Sequence, residues 1–165
     1  MSQTPTRRVL IVCHANTSRS IIAESVLLRL VADRGLTDRC LVRSGGIAPY
    51  ARDGSLPSLD ARFVLESIGL SLPPGAAATD LKRHPELFEE TDVILAMTAQ
   101  QRDMLAGFPV RPGCPVLLLR ELIGEAGDIE DPAMQDQDVF EHCRDEIVRC
   151  LEGGLDGLLA RLEVS

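Results

Sequence analysis

The sequence predicts an α/β domain in which helices cover a parallel sheet. Short apolar runs that are typical of buried strands alternate with longer segments whose apolar residues recur at helical spacing. Parallel strands joined in this way take right-handed crossovers. The predicted strands are residues 9–12, 39–44, 92–97 and 115–119, and the predicted helices are residues 19–32, 57–69, 80–90, 99–106 and 139–162.

Each element has local support, taken in chain order. Residues 9–12 are all aliphatic, as in a strand buried on both faces, the first helix stops near Gly35, and residues 39–44 run into two glycines. Pro57 opens the second helix, and residues 92–97 form another apolar run. The last helix carries apolar residues at helical spacing, namely Val139, Cys143, Ile147, Cys150 and Leu151.

Length and composition limit the class of protein. A chain of 165 residues is long enough for a substantial core, so residues 1–165 are predicted to form a single domain. The net charge of −8 argues against a nucleic-acid partner. No apolar run approaches the roughly 20 residues of a membrane-spanning helix, and the polar start lacks the apolar centre of a signal peptide. The five cysteines have no metal-ligand spacing and favour reduced thiols in a cytoplasmic protein.

The segment between the first strand and the first helix is the most informative. Cys13 follows the strand, residues 14–18 are small or polar, and the helix begins at Arg19. A strand-loop-helix connection gathers free backbone N–H groups at a helix N-terminus, where anions bind. The same surroundings favour the ionised form of a cysteine, which is the nucleophilic one.

The neighbouring side chains fit such a site. An arginine such as Arg19 holds two oxygens of a tetrahedral oxyanion at once, and the Ser20 hydroxyl could donate to the sulfur of Cys13. Asn16 is the loop residue that best tolerates a left-handed backbone. A cysteine that merely fills the core is the alternative. The strand, the loop and the helix together favour an anion-binding nucleophile.

Residues 12–24 read Val-Cys-x-x-Asn-x-x-Arg-Ser-x-x-Ala-Glu, which resembles the signature of the low-molecular-weight protein tyrosine phosphatase family. The resemblance covers nearly the whole chain and implies a three-layer sandwich with a central four-stranded parallel sheet flanked by helices. It implies that Cys13 attacks phosphorus and that Arg19 clamps the phosphoryl oxygens. The implied phosphate-binding loop consists of His14, Ala15, Asn16, Thr17, Ser18, Arg19 and Ser20.

The resemblance also assigns a general acid. Asp131, which precedes a proline, matches the aspartate that protonates the leaving group, because an alkoxide, phenoxide or amine departs more easily when protonated. Asp128 is the alternative acid and lacks the proline. An Asp-Pro before a helix is also common as helix-start chemistry.

Three residues are implied to support the loop. Ser44 matches a serine that hydrogen-bonds the loop asparagine, and a plain turn at residues 44–46 is the alternative. By the same resemblance Asn16 holds the shape of the loop and Ser20 stabilises the thiolate. His14 has no predicted partner, and the other two histidines are expected at the surface.

Several positions depart from the family's pattern. Ala15 stands where glycine is common, Ser18 where many members have a second cysteine, and Gly45 where alanine is commoner. Thr98 follows the third predicted strand where the family usually has aspartate.

Four positions are predicted to line the substrate cleft. Tyr50 matches an aromatic of the family's cleft, and an exposed loop tyrosine is the alternative. Ala133 and Met134 replace aromatics that commonly hold a phosphotyrosine ring. Thr17 resembles the subgroup of bacterial phosphatases that act on phosphoarginine, although a threonine there can also cap the helix.

The sequence thus predicts a protein phosphatase that acts on phosphorylated proteins through a phospho-cysteine, with phosphotyrosine ranked ahead of phosphoarginine. Thiol-dependent arsenate reductase is an alternative that needs a resolving cysteine, and residues 80–90 supply none. A silent phosphate-binding module is the non-enzyme alternative. No metal or cofactor is implied, because the loop amides and Arg19 neutralise the phosphoryl oxygens. A cytoplasmic monomer or weak dimer is expected, with no nucleic-acid or membrane partner.

Overall fold

A single four-stranded sheet forms the centre of the computed structural model, which describes residues 5–165. All the strand pairs are parallel, and the strand order is β2-β1-β3-β4. The polar start of the chain, from which no signal peptide is expected, includes residues 1–4, and these lie outside the described residues. The strands are β1 (Arg7–Cys13), β2 (Cys40–Gly46), β3 (Val93–Ala96) and β4 (Val116–Leu118).

Helices connect and cover these strands, so the α/β prediction is confirmed. Short 3₁₀ helices occupy Leu81–Arg83, Leu105–Gly107 and Leu119–Ile123. No helix within residues 5–165 is both long and apolar enough to cross a bilayer. The α-helices are α1 (Arg19–Asp33), α2 (Leu59–Glu66), α3 (Glu86–Glu89), α4 (Ala99–Met104) and α5 (Gln137–Arg161).

The helix predicted over residues 80–90 is in fact two short pieces. The 3₁₀ turn Leu81–Arg83 ends at His84, and α3 begins after Pro85. A residue before proline is driven out of the helical region by the proline ring, and His84 accordingly has φ −133° and ψ 60°. The proline therefore divides the segment.

The sheet has an apolar layer on each face. Val9, Ile11 and Cys13 alternate with Leu10 and Val12 along β1, so that successive side chains point to opposite faces. Burial of both faces explains why the strands are continuous apolar runs rather than alternating ones. One layer includes Ile22, Leu27, Ile147 and Leu151 of α1 and α5, and the other includes Ile47, Leu81, Phe88 and Leu105.

The carboxyl ends of the strands meet at one edge, where such folds bind ligands. Cys13 ends β1 beside Gly46, the last residue of β2. The backbone N–H of Ile47 donates to the carbonyl of Cys13 at 3.0 Å, and that of Ala48 donates to the carbonyl of His14 at 3.0 Å. These bonds hold the segments after β1 and β2 together.

Two glycines at the end of β2 allow this close packing. A Cβ on Gly46 would lie 2.7 Å from the backbone oxygen of His14, so only glycine permits the loop to approach. A Cβ on Gly45 would lie 2.4 Å from Cγ of Leu81, which is fully buried. Gly45 stands where the resemblance expects alanine because Leu81 occupies the space.

We expect Gly45→Ala to lower the free energy of unfolding by about 1–3 kcal/mol, the usual cost of overpacking a core. Urea denaturation of the single variants and of Gly45→Ala/Leu81→Ala measures the coupling between the two positions. The cost of Gly45→Ala should largely vanish when Leu81 is shortened. Equal costs in both backgrounds would show that Leu81 does not limit residue 45.

Candidate active site

The sulfur of Cys13 lies at the base of the loop that joins β1 to α1. The residue is 3% exposed. The backbone N–H of Asn16 donates to Sγ at 3.2 Å, and the Ser20 hydroxyl lies 2.8 Å from the same sulfur. Asn16 Nδ2 also donates to Ser20 Oγ at 2.7 Å, which leaves the hydroxyl proton of Ser20 free to point at the sulfur. Two donors therefore converge on the sulfur of Cys13.

Asn16 holds the loop in shape. Its φ of 62° is left-handed, a conformation that asparagine tolerates better than most residues. Nδ2 donates to Ser44 Oγ at 3.0 Å as well as to Ser20, and Oδ1 accepts from the backbone N–H of Thr79 at 2.9 Å. The buried asparagine thus ties the loop to β2 and to the segment after α2.

Glu24 extends this network, a role that the sequence did not suggest. The Ser44 hydroxyl donates to Oε2 of Glu24 at 2.7 Å. Burial raises the pKa of Glu24, and the hydrogen bond from Ser44 and the charge of Arg43 oppose that shift. The Ala-Glu pair at the end of the matched motif was the only signal, and it did not reveal the partner.

Arg19 is buried, at 3% exposure, and its guanidinium makes three directed contacts. Nη1 donates to the carbonyl of Ile129 at 2.8 Å. Nη2 lies 3.2 Å from Nδ1 of His14 and 3.6 Å from Oδ2 of Asp131. The structure therefore brings Arg19 to Asp131, although 112 positions separate them in the chain.

The two candidate acids occupy different places. Asp128 Oδ1 accepts from the backbone N–H of Ala99 at 2.9 Å, at the start of α4. Asp131 is about half exposed, and its Oδ1 accepts from the N–H of Ala133 at 3.0 Å while Oδ2 faces Arg19. Asp131 is thus the carboxylate beside the loop, and Asp128 stabilises a helix end.

His14 packs against a residue that the sequence did not single out. Gln101 of α4 is fully buried, and its Nε2 lies 3.0 Å from Nδ1 of His14. Thr98, which replaces the family's aspartate, accepts from the N–H of Gln101 at 3.1 Å and so caps α4 as an aspartate would. A glutamine in the first turn of the predicted helix was the only available signal in the sequence.

The remaining loop residues face α2. The carbonyl of Thr17 accepts from the N–H of Ser58 at 2.9 Å, and the hydroxyls of Ser18 and Ser58 are 3.1 Å apart. Ser18, not Thr17, is the N-cap position of α1. Within residues 5–165 the Thr17 hydroxyl makes no hydrogen bond, so the helix-capping interpretation is not supported.

Three of the four predicted cleft residues are exposed. Tyr50 is 64% exposed, and Met134 is fully exposed with a left-handed φ of 64°. Ala133 is also exposed, whereas Thr17 is half-buried in the loop. Within the described part of the chain, the side chains of the three exposed residues make no hydrogen bonds. Their contact with substrate stays a prediction.

The other four cysteines lie outside the loop, although Cys143 is close enough for the charges of Cys13, Arg19 and Asp131 to act on its pKa. All five cysteines are unpaired, and three of the other four, Cys40, Cys143 and Cys150, are buried. Burial raises the pKa of Cys40, Cys114 and Cys150, and it raises that of Cys143 to about 12. Residues 5–165 hold no group of three or more His, Cys, Asp or Glu side chains placed to bind a metal ion.

This sheet, with a cysteine at the base of the loop after its first strand, is the framework of a cysteine-dependent phosphatase. The family model for low molecular weight phosphotyrosine protein phosphatase matches residues 8–164. The chain belongs to that family, which confirms the family resemblance, and phosphorylated proteins are the substrates that the family implies.

Relatives with both specificities are similar to the chain. A protein-arginine-phosphatase of Geobacillus stearothermophilus is 31% identical, with 94% of this chain and 96% of the relative covered. The low molecular weight protein-tyrosine-phosphatase PtpB of Staphylococcus haemolyticus is 32% identical, with 76% and 80% covered. A solved structure of YwlE arginine phosphatase, a mutant with a phosphorylated active-site serine, has a TM-score of 0.81 and 28% identity, with 93% and 95% covered. The four-stranded sheet flanked by helices is thus confirmed as the family's fold.

We expect Ser44→Ala to lower the free energy of unfolding by about 1–3 kcal/mol, because it leaves buried polar partners unsatisfied. The pKa of Glu24 should rise further, since its hydrogen bond from Ser44 is lost. Urea denaturation checks the first outcome and carboxyl NMR titration the second. Ser71→Ala, at an exposed serine, is the matched control and should stay within about 0.5 kcal/mol.

Proposed function

We propose that the protein dephosphorylates phosphoarginine in proteins through a phospho-cysteine at Cys13. The observation that carries the proposal is the grouping of the Cys13 sulfur, the loop, the buried Arg19 and Asp131 at one edge of the sheet. Similarity to protein-arginine-phosphatases over almost the whole chain supports it.

Cys13 is the proposed nucleophile. Its thiolate, stabilised by the Asn16 N–H and the Ser20 hydroxyl, attacks phosphorus in line with the leaving nitrogen. The sulfur–phosphorus bond forms as the phosphorus–nitrogen bond breaks. The YwlE neighbour, whose active-site serine carries a phosphoryl group, supports a covalent step at this position.

Arg19 is proposed to stabilise the phosphoryl oxygens, and Asp131 is proposed to transfer protons. The Nε–H of Arg19 takes part in none of its three contacts, and it is available with the loop amides for the phosphoryl oxygens as charge develops. Protonated Asp131 gives its proton to the leaving guanidine nitrogen. The resulting carboxylate takes a proton from the water that attacks the phospho-cysteine, which releases phosphate and regenerates the thiolate.

Three features support phosphoarginine as the substrate. Within residues 5–165 the Thr17 hydroxyl makes no hydrogen bond, and Ser18 occupies the helix N-cap position, so the hydroxyl is available to the substrate. Small Ala133 and flexible Met134 stand where aromatics would hold a phosphotyrosine ring. Half-exposed Asp131 places a carboxylate where a positively charged guanidinium leaves.

Phosphotyrosine is the second candidate, and exposed Tyr50 favours it. An aromatic at the rim of a cleft can stack on a substrate ring for about 0.5–1.5 kcal/mol. PtpB of Staphylococcus haemolyticus supports this alternative. Arsenate reduction is less favoured, since burial keeps Cys40, Cys143 and Cys150 protonated. The presence of Cys13, Arg19 and Asp131 together argues against a silent phosphate-binding module.

We expect Asp131→Asn to lower kcat/KM about 100-fold or more on phenyl phosphate and much less on 2,4-dinitrophenyl phosphate. A poor leaving group needs the proton of the acid, whereas an activated one does not. Steady-state rates over a series of aryl phosphates provide the measurement. Cys13→Ser measures the background rate and should be inactive. Asp128→Asn is the matched control, and its rate relative to the native protein should not depend on the leaving group. A small, uniform loss in Asp131→Asn would remove Asp131 from the acid role.

We expect the native protein to hydrolyse a phosphoarginine peptide faster than the matching phosphotyrosine peptide. Thr17→Ile should lower the ratio of the two kcat/KM values about 10- to 200-fold, the range that one pocket contact provides. Thr17→Ser keeps the hydroxyl and should preserve the ratio. A ratio that Thr17→Ile leaves unchanged, or a native preference for phosphotyrosine, would overturn the proposed specificity.

A further inference from the structure

The ring of His14 lies between two hydrogen-bond donors. Nδ1 is 3.2 Å from Nη2 of Arg19 and 3.0 Å from Nε2 of Gln101. A guanidinium has only N–H groups to offer and cannot accept a hydrogen bond. Nδ1 can therefore bond to Arg19 only if it carries no proton.

The orientation of Gln101 leads to the same conclusion. Its Oε1 accepts from the backbone N–H of Met97 at 2.9 Å, so the amide oxygen is already engaged at the end of β3. The other end of the amide, which faces His14, is then the NH₂ group. Gln101 is fully buried, so its amide is held in this orientation by its protein neighbours. Two donors thus select the neutral His14 tautomer that carries its proton on Nε2.

We propose that His14 is a positioning residue for this reaction, in which the bare Nδ1 holds the Arg19 guanidinium beside Asp131 and protonation of Nδ1 releases it. This inference rests on the proposed phosphatase function. Nη2 of Arg19 is shared between His14 and Asp131, while Nη1 is fixed by the carbonyl of Ile129. His14 therefore fixes the rotation of the planar guanidinium, which decides where its remaining donors point.

The charges around His14 favour the neutral ring. Burial lowers the pKa of His14 from 6.5, and the positive charge of Arg19 lowers it further, while Asp131 from the opposite segment raises it. Gln101 of α4 is uncharged, and Cys13, at the end of β1, is the residue before His14 in the chain. The ring is therefore neutral at pH 7 and gains a proton only as the pH falls below 6.5.

The direct test is ¹⁵N NMR of the imidazole in the full protein without substrate. At pH 7.5, His14 should show an unprotonated Nδ1 and a protonated Nε2, and it should titrate below pH 6.5. Observation of the Nδ1–H tautomer, or of a charged ring at pH 7.5, would overturn the proposal. This readout needs no activity, so it stands apart from the failure of the proposed function.

Kinetics on p-nitrophenyl phosphate test the positioning role. His14→Leu should lower kcat/KM about 10- to 100-fold at pH 7, the loss expected for one hydrogen bond to a charged group. In His14→Asn, Oδ1 takes the place of Nδ1 and should keep the rate within about threefold of native. His14→Gln places its amide further from the backbone and should behave like His14→Leu.

The pH dependence separates positioning from a merely structural role. The ratio of native to His14→Asn rates should be constant above pH 6.5 and should fall below it, because asparagine cannot gain the proton. Gln101→Glu keeps an oxygen that accepts from Met97 but replaces the NH₂ group beside Nδ1 of His14 with a second oxygen. Because that oxygen favours a proton on Nδ1, the acid limb of the pH–rate profile should move to higher pH. His142→Asn, at an exposed histidine, is the control with an unchanged profile. Parallel pH profiles for native, His14→Asn and Gln101→Glu would overturn the proposal.

Discussion

The three side-chain hydrogen bonds of Asn16 are the constraint on which the site depends. They join the loop after β1 to Ser44 on β2, to Ser20 at the start of α1 and to the backbone of Thr79. The left-handed backbone of Asn16 turns the chain so that its own N–H points at the sulfur of Cys13. One residue thus fixes the loop to the sheet and supplies a donor to the sulfur of Cys13, and both effects end if that residue cannot adopt φ near 62°.

Much of the fold and part of the site follow from local sequence signals. The aliphatic runs at β1 and β3 predict strands buried on both faces, and the structure places apolar layers on each. The proline after Asp131 distinguished that residue from Asp128 as the predicted acid, and the structure places Asp131 beside Arg19, while its role as the acid stays a prediction. The strand signals succeed because a run of apolar residues is visible in the chain itself.

Other features depend on contacts between distant segments and have no local pattern. The bond between Gln101 and His14 joins residues 87 positions apart, and the one between Ser44 and Glu24 joins residues 20 positions apart. The close fit of Gly45 to Leu81 is of the same kind, because only the packed structure shows what occupies the space. The division of residues 80–90 at Pro85 is different, since the proline was visible in the sequence.

Ile129 has both of its backbone groups bonded and is buried, two positions before the proposed acid. Its N–H donates to the carbonyl of Met97 at 2.8 Å, and its carbonyl accepts from Arg19 at 2.8 Å. The segment that carries Asp131 is thereby tethered both to the sheet and to the arginine. The conformational entropy of placing Asp131 beside Arg19 is therefore lost once, during folding.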